Sequence, residues 1–452
     1  MEKQEIIQLI LNKKVRDFRN IIDTLEYADI ADIIEELDDD YKVLAFRMLP
    51  KNCSADVFSY LALTAQEEII SHITEKEISN IIEDLYIDDA VDLLEELPAI
   101  LVQKVLSNAK PETRNNLNKF LNYKEFSAGS IMTLEYLDLK KSMTVAQAIS
   151  KIRREANDKE EIYTCYVTDS YRRLHGVLSV KSLLLAKDET IIEDIMDENF
   201  IYCKTTDDQE TVSKMLQKYD LLALPVVDNE NRLVGIITID DAVDVIQEEA
   251  EEDFEKMAAM LPSDKPYLDM SVFALYKNRI IWLLILMITG MITGAILEGF
   301  ESAIASLPLL VSFIPMLNDT GGNSGSQAAT MCIRGLTTGE ITPKQWFKIW
   351  WKEFRVSLLI AVTLALFNFA RILILLDEPT QDKLKYATVV CSTLICTVIL
   401  AKSIGALLPL LAKKIKLDPA VCAAPMITTI VDCAAILIYF GIACSVFSNI
   451  LG

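Results

Sequence analysis

Histidine is nearly missing. There are two in 452 residues, His72 and His175, far apart. That removes a His-based zinc centre and a His-dependent catalytic triad from consideration. Cysteine is commoner, at nine, but CxxC and Cys/His spacings are absent and several thiols fall inside apolar runs. They read as reduced residues, not as a disulfide frame. The opening MEKQEIIQLI has no apolar run before a cleavage site, so no signal peptide is expected. With no nucleophile–base pair and no complete phosphate-binding loop, an enzyme is not expected either. Positive charge is scarce before Ser271, where 56 acids meet 30 bases for a net of −26; from Ser271 onward 10 acids meet 14 bases, net +4. A phosphate backbone needs a basic face, so nucleic acid is not an expected partner. The acidic part suits cations, or simply solubility.

Residues 1–128 read as all helix: apolar residues recur at three and four, and the polar ones are helix formers. ADIIEEL at 31–37 returns as AVDLLEEL at 90–97 and, more loosely, as SNIIEDL at 79–85. Helix pairs of this kind cannot bury an apolar face singly. They are expected to stack into a short superhelix, with turns at Pro50, Pro98 and Pro111. Asp88 and Asp92 stand at i and i+4 and are expected on one exposed helix face, either as solvated charge or as a cation-binding edge. From 129 to 246 short strands alternate with helices. IYTCYVTD, a turn and LHGVLSVKSLL (162–184) are matched by LLALPVVD, the turn NEN and RLVGIITIDDAVDVI (221–246). Each unit is a strand, a hairpin turn, a strand and a helix, and each follows a helix, at 145–156 and 210–219. This duplication resembles a tandem pair of cystathionine-β-synthase (CBS) domains. In that family a Gly-φ-φ-Thr-x-x-Asp run holds adenosine nucleotides, the Asp taking ribose hydroxyls. The resemblance places such a site, with ATP as its ligand, at Gly235, Thr238 and Asp241; the first unit has Ser179 and Ser182 instead.

The second unit runs into an acidic helix, 240–260, with nine acids in its first sixteen residues and no breaker before Pro262 and Pro266. Such a helix is either a solubilising linker or a row of carboxylates that repel one another until divalent cations bridge them. Hard cations such as Mg²⁺ take oxygen ligands and tolerate partial hydration. Five apolar segments follow, roughly 279–297, 304–333 (interrupted), 356–376, 386–412 and 421–447, each long enough to cross ~30 Å of hydrocarbon. Lys277, Arg279, Arg334, Lys344, Lys348, Lys352, Arg355, Lys413, Lys414 and Lys416 fall on one side of such a bundle. Glu298, Glu301, Asp377, Glu378 and Asp382 fall on the other, with only Lys383 and Lys385 as bases. The basic side is expected to be cytoplasmic, with the acidic part in the cytoplasm and the C-terminus outside the plasma membrane.

The last segment, LDPAVCAAPMITTIVDCAAILIYF at 417–440, starts with Asp418 and carries Asp432, read as ~20 Å further along a helix. A carboxylate at that depth costs ~2.5–3.5 kcal/mol on insertion scales. Asp432 is expected to face a cation path; the plainer reading is a neighbouring Lys, Thr or backbone group that pins it. FIPMLNDTGGNSGSQAAT at 313–330 is too polar to face lipid. Gly321, Gly322 and Gly325 allow close helix approach, Asn323 and Gln327 can bond across helices, and the segment is expected to form a pore wall. Lys402 lies inside the fourth segment and is expected to snorkel or to pair with an acid.

The whole arrangement resembles the MgtE family of Mg²⁺ transporters, most specifically through PMLNDTGGNSGSQ and DPAVCAAPMITTIVD. The resemblance implies a multi-domain membrane protein: an all-α superhelical N-domain (1–128), an α/β tandem CBS pair (129–246), an acidic connecting helix (247–270) and a five-helix transmembrane domain (271–452). It implies a homodimer in the lipid bilayer that imports Mg²⁺ through one channel-type pore, with Asp432 from both subunits inside it. It further implies closure when cytosolic Mg²⁺ binds acids of the soluble part: Asp88 and Asp92; Asp208, Glu210, Asp220, Asp241 and Asp244; Glu249, Glu252 and Asp253. Asp418 is a further candidate ligand. Lys402, Ala424 and Asp319 depart from the family pattern, where an uncharged, a polar and a small residue are expected. The rivals are a carrier of Mn²⁺, Co²⁺ or Ni²⁺, which the scarcity of His disfavours, and a CBS-based membrane nucleotide sensor.

Overall fold

The computed structural model describes residues 3–263, 267–268, 270–376, 379–422 and 424–448, the side chains of residues 40, 96 and 158 apart. Pro266, Asp377 and Glu378 lie outside the described residues. The chain forms two compact units, Met1–Gln247 and Glu248–Gly452.

The first unit begins with ten short helices: α1 (Lys3–Leu11), α2 (Val15–Ile22), α3 (Tyr27–Glu35), α4 (Asp39–Met48), α5 (Ser54–Ser59), α6 (Leu63–His72), α7 (Glu75–Asp84), α8 (Ile87–Glu96), α9 (Ala99–Asn108) and α10 (Pro111–Phe120). From α3 onward each helix packs on the next but one, which is a superhelix. Their apolar stripes meet in one core that includes Ile34, Phe58, Ile69, Ile78, Val91 and Leu117. The turn chemistry is local. Pro98 precedes α9, Pro111 opens α10 where a missing N–H costs nothing, and Thr74 with Glu77 caps α7 reciprocally.

The CBS pair follows as β1 (Tyr136–Lys140), α11 (Val145–Glu155), β2 (Glu161–Thr168), β3 (Leu174–Ser179), α12 (Val180–Leu185), α13 (Ile192–Ile195), β4 (Cys203–Lys204), α14 (Gln209–Tyr219), β5 (Ala223–Val227), β6 (Leu233–Thr238) and α15 (Ile239–Met257). The two sheets have the same order, β1-β2-β3 and β4-β5-β6, with one parallel and one antiparallel pairing each. The hairpins and their helices stand where the repeat predicts. The leading strands β1 and β4 escape it, because they are short and pair in parallel with residues far along the chain. The duplication extends to packing. A Cβ on Gly176 would strike Met196 and Asp197, and one on Gly235 would strike Met132 and Thr133.

The second unit takes the end of α15, then α16 (Val272–Glu298), α17 (Glu301–Ser306), a 3₁₀ turn Pro308–Phe313, α18 (Ile314–Thr337), α19 (Trp346–Leu375), α20 (Thr380–Lys414), a 3₁₀ turn Pro419–Cys422 and α21 (Ala424–Val446). Among the described residues four stretches are long and apolar enough to cross a membrane: Val272–Glu298, Pro343–Leu375, Thr380–Lys414 and Pro419–Val446. The polar second segment does not qualify by composition. Its break falls at Leu307–Pro308, and beyond it α18 is an unbroken helix of 24 residues. The last segment is not one helix from Leu417. The 3₁₀ turn intervenes and Asp432 is nine residues into α21, about 12 Å from its start rather than ~20 Å from Asp418 along one axis.

Candidate cation sites

Tyr86 ends an extended link and α8 begins, which places Asp88 and Asp89 in its first turn, where backbone N–H groups favour anions. Asp89 N donates to Asp88 Oδ1 at 3.0 Å. At the other end of the unit, β6 stops at Thr238 and α15 starts with Asp240 and Asp241. Thr238 Oγ1 donates to Asp241 Oδ2 at 2.5 Å. The fold brings these two helix heads to the loop before β2, and there carboxylate oxygens of Asp88, Glu160 and Asp241 lie within 4.8 Å of one another. Asp88 is only 5 % exposed, which corrects the expectation of an exposed face shared with Asp92. Asp92 is the exposed one, and it is not in the group.

Burial and mutual repulsion both disfavour charge here. Asp88 is pushed well above the ordinary carboxylate range by burial, then by Glu160, Asp241 and Asp89. Glu160 and Asp241 rise for the same reasons, although Thr238 works against the shift at Asp241. Asp89 is raised to about 6 by burial and by Asp240, Asp56, Glu135 and Asp244. Oε2 of Glu160 is buried and accepts no hydrogen bond among the described residues. A hard divalent ion fits this donor set: all-oxygen, anionic, and spaced for one ion that keeps some of its waters. Glu160, Asp89, Asp240, Glu135 and Asp56 are absent from the sequence reading. Glu160 is 72 residues beyond Asp88 and 81 before Asp241, and no spacing rule joins them. Asp89 and Asp240 adjoin predicted acids and were in reach.

The other predicted acids are placed differently. Asp208 is exposed and caps α14, accepting from Thr211 N at 3.1 Å and Thr211 Oγ1 at 3.0 Å. Glu210 pairs with Lys214 one turn on. Asp220 ends α14 in the left-handed conformation, φ 51°. Asp244 is exposed on α15, a turn past Asp240 and Asp241, and its charge reaches Asp89. Glu249 and Asp253 are half-buried on the same helix. In the second unit Lys256 Nζ lies 2.6 Å from Glu252 Oε1 and 2.8 Å from Asp418 Oδ2. Gly235 is explained by packing, since its missing Cβ admits Met132 and Thr133. Ser179 accepts from Ser182 N at 3.1 Å at the head of α12, the counterpart of Thr238 with Asp241.

Among the membrane-length helices the polar segment works through its small residues. α18 presses against α20 and α21 by a glycine face. A Cβ at Gly321 would meet Thr397 Cγ2 at 2.6 Å, one at Gly322 Thr428 Cγ2 at 2.8 Å, and one at Gly325 Ile427 Cγ2 at 2.8 Å. Gly405 on α20 faces the Gly325 carbonyl with no room for a side chain. The opposite face of α18 carries exposed Asp319, Asn323, Gln327 and Thr330 at helical spacing. Asn323 Nδ2 donates within its own helix, to Asp319 Oδ1 at 3.0 Å. Asp432 is half-buried on α21, and Asp319 is the charge it feels. Lys402 is not its partner. That side chain is 4 % exposed, with Nζ 3.6 Å from Glu353 Oε2 on α19.

A helical superhelix and a CBS pair that share one carboxylate nest, followed in the chain by membrane-length helices with an acid in the last, define a multi-domain membrane transport protein. The model of the MgtE divalent cation transporters matches residues 314–442, that of the MgtE intracellular N domain matches 25–126, and the CBS model matches 128–189 and 192–248. The chain is 35 % identical to the magnesium transporter MgtE of Thermus thermophilus, over 95 % of its own length and 94 % of that protein's. To the magnesium transporter MgtE of Bacillus subtilis it is 32 % identical, over 97 % and 96 %. A crystal structure of the soluble part of a magnesium transporter matches with TM-score 0.53 and 30 % identity, covering 55 % of this chain and all of the other. The cytosolic domain of the Mg²⁺ channel MgtE in complex with ATP matches with TM-score 0.51 and 34 % identity, covering 54 % and all of the other. The chain belongs to the MgtE family.

Proposed function

We propose that the chain is a Mg²⁺ transporter of the channel type, importing Mg²⁺ through a homodimeric pore and closed by Mg²⁺ bound on the cytosolic side. The observation that carries the transport reading is Asp432: a carboxylate within a membrane-length helix, half-buried beside the glycine face of α18, with no lysine or arginine paired to it among the described residues. A charge so placed is unfavourable in lipid and useful in a cation path. Mg²⁺ dehydrates reluctantly, so carboxylates that act through its water shell attract it without trapping it. α18 supplies a fifth span in this reading, the basic segments lie in the cytoplasm and the C-terminus lies outside. Asp319 thickens the negative field near Asp432.

The gating reading rests on the orphaned Glu160 oxygen between Asp88 and Asp241. With little Mg²⁺, the carboxylates repel and the nest loosens; an ion there holds α8, the loop before β2 and the head of α15 together. Asp241 also belongs to the motif read as an ATP site with Gly235 and Thr238. We propose that nucleotide and metal share it.

The decisive experiment is ion flux into proteoliposomes with Mg²⁺, Mn²⁺ and Ca²⁺ compared side by side. Mg²⁺ flux that is lost in Asp432→Asn is the expected result; no flux of any divalent ion from the wild type would sink the reading.

A further inference from the structure

Lys256 is the penultimate residue of α15, and it is not solvated like most helix-end lysines. It is flanked by Glu252 Oε1 at 2.6 Å, one turn back, and by Asp418 Oδ2 at 2.8 Å, 162 residues later. The other oxygen of Asp418 accepts from Ala420 N at 2.9 Å. That bond shapes the 3₁₀ turn Pro419–Cys422 before α21, the helix that carries Asp432. The next residue of α15, Met257, packs on an apolar layer of Ala329, Ile333, Ala401, Ala420, Ile427 and Val431, contributed by α18, α20, the 3₁₀ turn and α21. An apolar contact and an ionic one, from adjacent residues, therefore fasten the acidic helix to the head of the pore helix. Burial opposes the ammonium, but the hydrogen bonds it donates to Asp418 and Glu252 outweigh it and hold Lys256 above the ordinary lysine value. It stays a cation throughout the physiological range.

We infer that Lys256 is a gate-positioning residue: its ammonium stands between Glu252 and Asp418 as a built-in counter-ion. It holds the end of the acidic helix on the head of α21 before any Mg²⁺ binds. Without it two carboxylates would face each other across that contact, and docking would need a bound cation from solution. Part of the closing force is thus covalently part of the chain, and cytosolic Mg²⁺ supplies the remainder. This sets the Mg²⁺ concentration at which the pore closes. The inference rests on the gating reading given above.

The test is patch recording of the full-length protein, with Mg²⁺ titrated on the side of the soluble part. Lys256→Gln should raise the half-inhibiting Mg²⁺ concentration about fivefold, the size expected of one partly buried ion pair, with unitary conductance unchanged. Lys256→Arg should keep the wild-type value, and the exchange Lys256→Glu with Asp418→Lys should restore it. Lys256→Gln inhibited at the wild-type concentration, or an exchange that stays at the Lys256→Gln value, overturns the inference while leaving Mg²⁺ gating intact. Wild-type currents indifferent to Mg²⁺ overturn both.

Discussion

Charged residues on membrane-length helices have two ways to exist, and this chain uses both. Lys402 and Glu353 neutralise each other at the contact of α19 with α20, whereas Asp432 has no such partner among the described residues. A buried pair adds little net stability, but a buried half-pair is costly, ~3–5 kcal/mol. Glu353→Gln should therefore lower the melting temperature in detergent more than Glu353→Gln combined with Lys402→Met; equal losses would contradict the pairing. Asp432→Asn should leave melting nearly unchanged while abolishing Mg²⁺ uptake, measured as growth at low Mg²⁺ of cells that lack other importers. The sequence made Asp432 conspicuous because a lone acid in an apolar run stands out. It could not assign Lys402 a partner, since Glu353 lies 49 residues away at a distance set only by how two helices are packed.

At the scale of the element, glycine decides how closely α18 approaches its neighbours. Gly405→Ala would drive a methyl group into the Gly325 carbonyl. Backbone cannot yield as a flexible side chain can, so the helices must part, at a cost of about 1–3 kcal/mol. Gly294→Ala on α16, where nothing lies within 4 Å, should be neutral in the monomer. A thermal-stability comparison of the two variants checks this, and equal behaviour would count against the close α18–α20 contact. The glycines of 321–325 advertised such an approach in the sequence. Which helices they meet was not legible, because the pattern names a face and not its partner. The same holds for the CBS strands: the hairpins were readable from alternation and turn residues, whereas the two-residue β4 carries no periodicity at all.

At the scale of the whole molecule, the carboxylate nest links acidity to compactness. Asp89, Asp241 and Glu160 stand at about 6, 7 and 8 in the folded unit, against 3.8, 3.8 and 4.5 for free groups. The closed nest thus binds more protons than the open one. Its stability is complete below about pH 4 and is lost as pH rises through 6 to 8. Protons and Mg²⁺ relieve the same repulsion, so Mg²⁺ should erase this dependence. The hydrogen-exchange protection factor at the heads of α8 and α15 in the full chain, the intrinsic rate over the observed rate at each pH, should fall from pH 5.5 to 8.5 in EDTA and stay high in Mg²⁺. A protection factor that rises with pH in EDTA would contradict the sign. Asp241→Asn should weaken Mg²⁺ protection and ATP binding together, which equilibrium dialysis with ATP can read.

Composition and periodicity alone determined the division into an acidic helical and α/β part and an apolar helical part, since burial of apolar surface obeys local repeats of two and of 3.6 residues. They also pointed to acids rather than to His or Cys as candidate ligands, because His and paired Cys are too few. Tertiary structure alone decided which acids lie together. Asp88 joins Glu160 and Asp241 rather than Asp92, and Glu252 joins Asp418 through Lys256, because a carboxylate cluster is assembled by chain segments that packing brings near, whatever their distance in sequence.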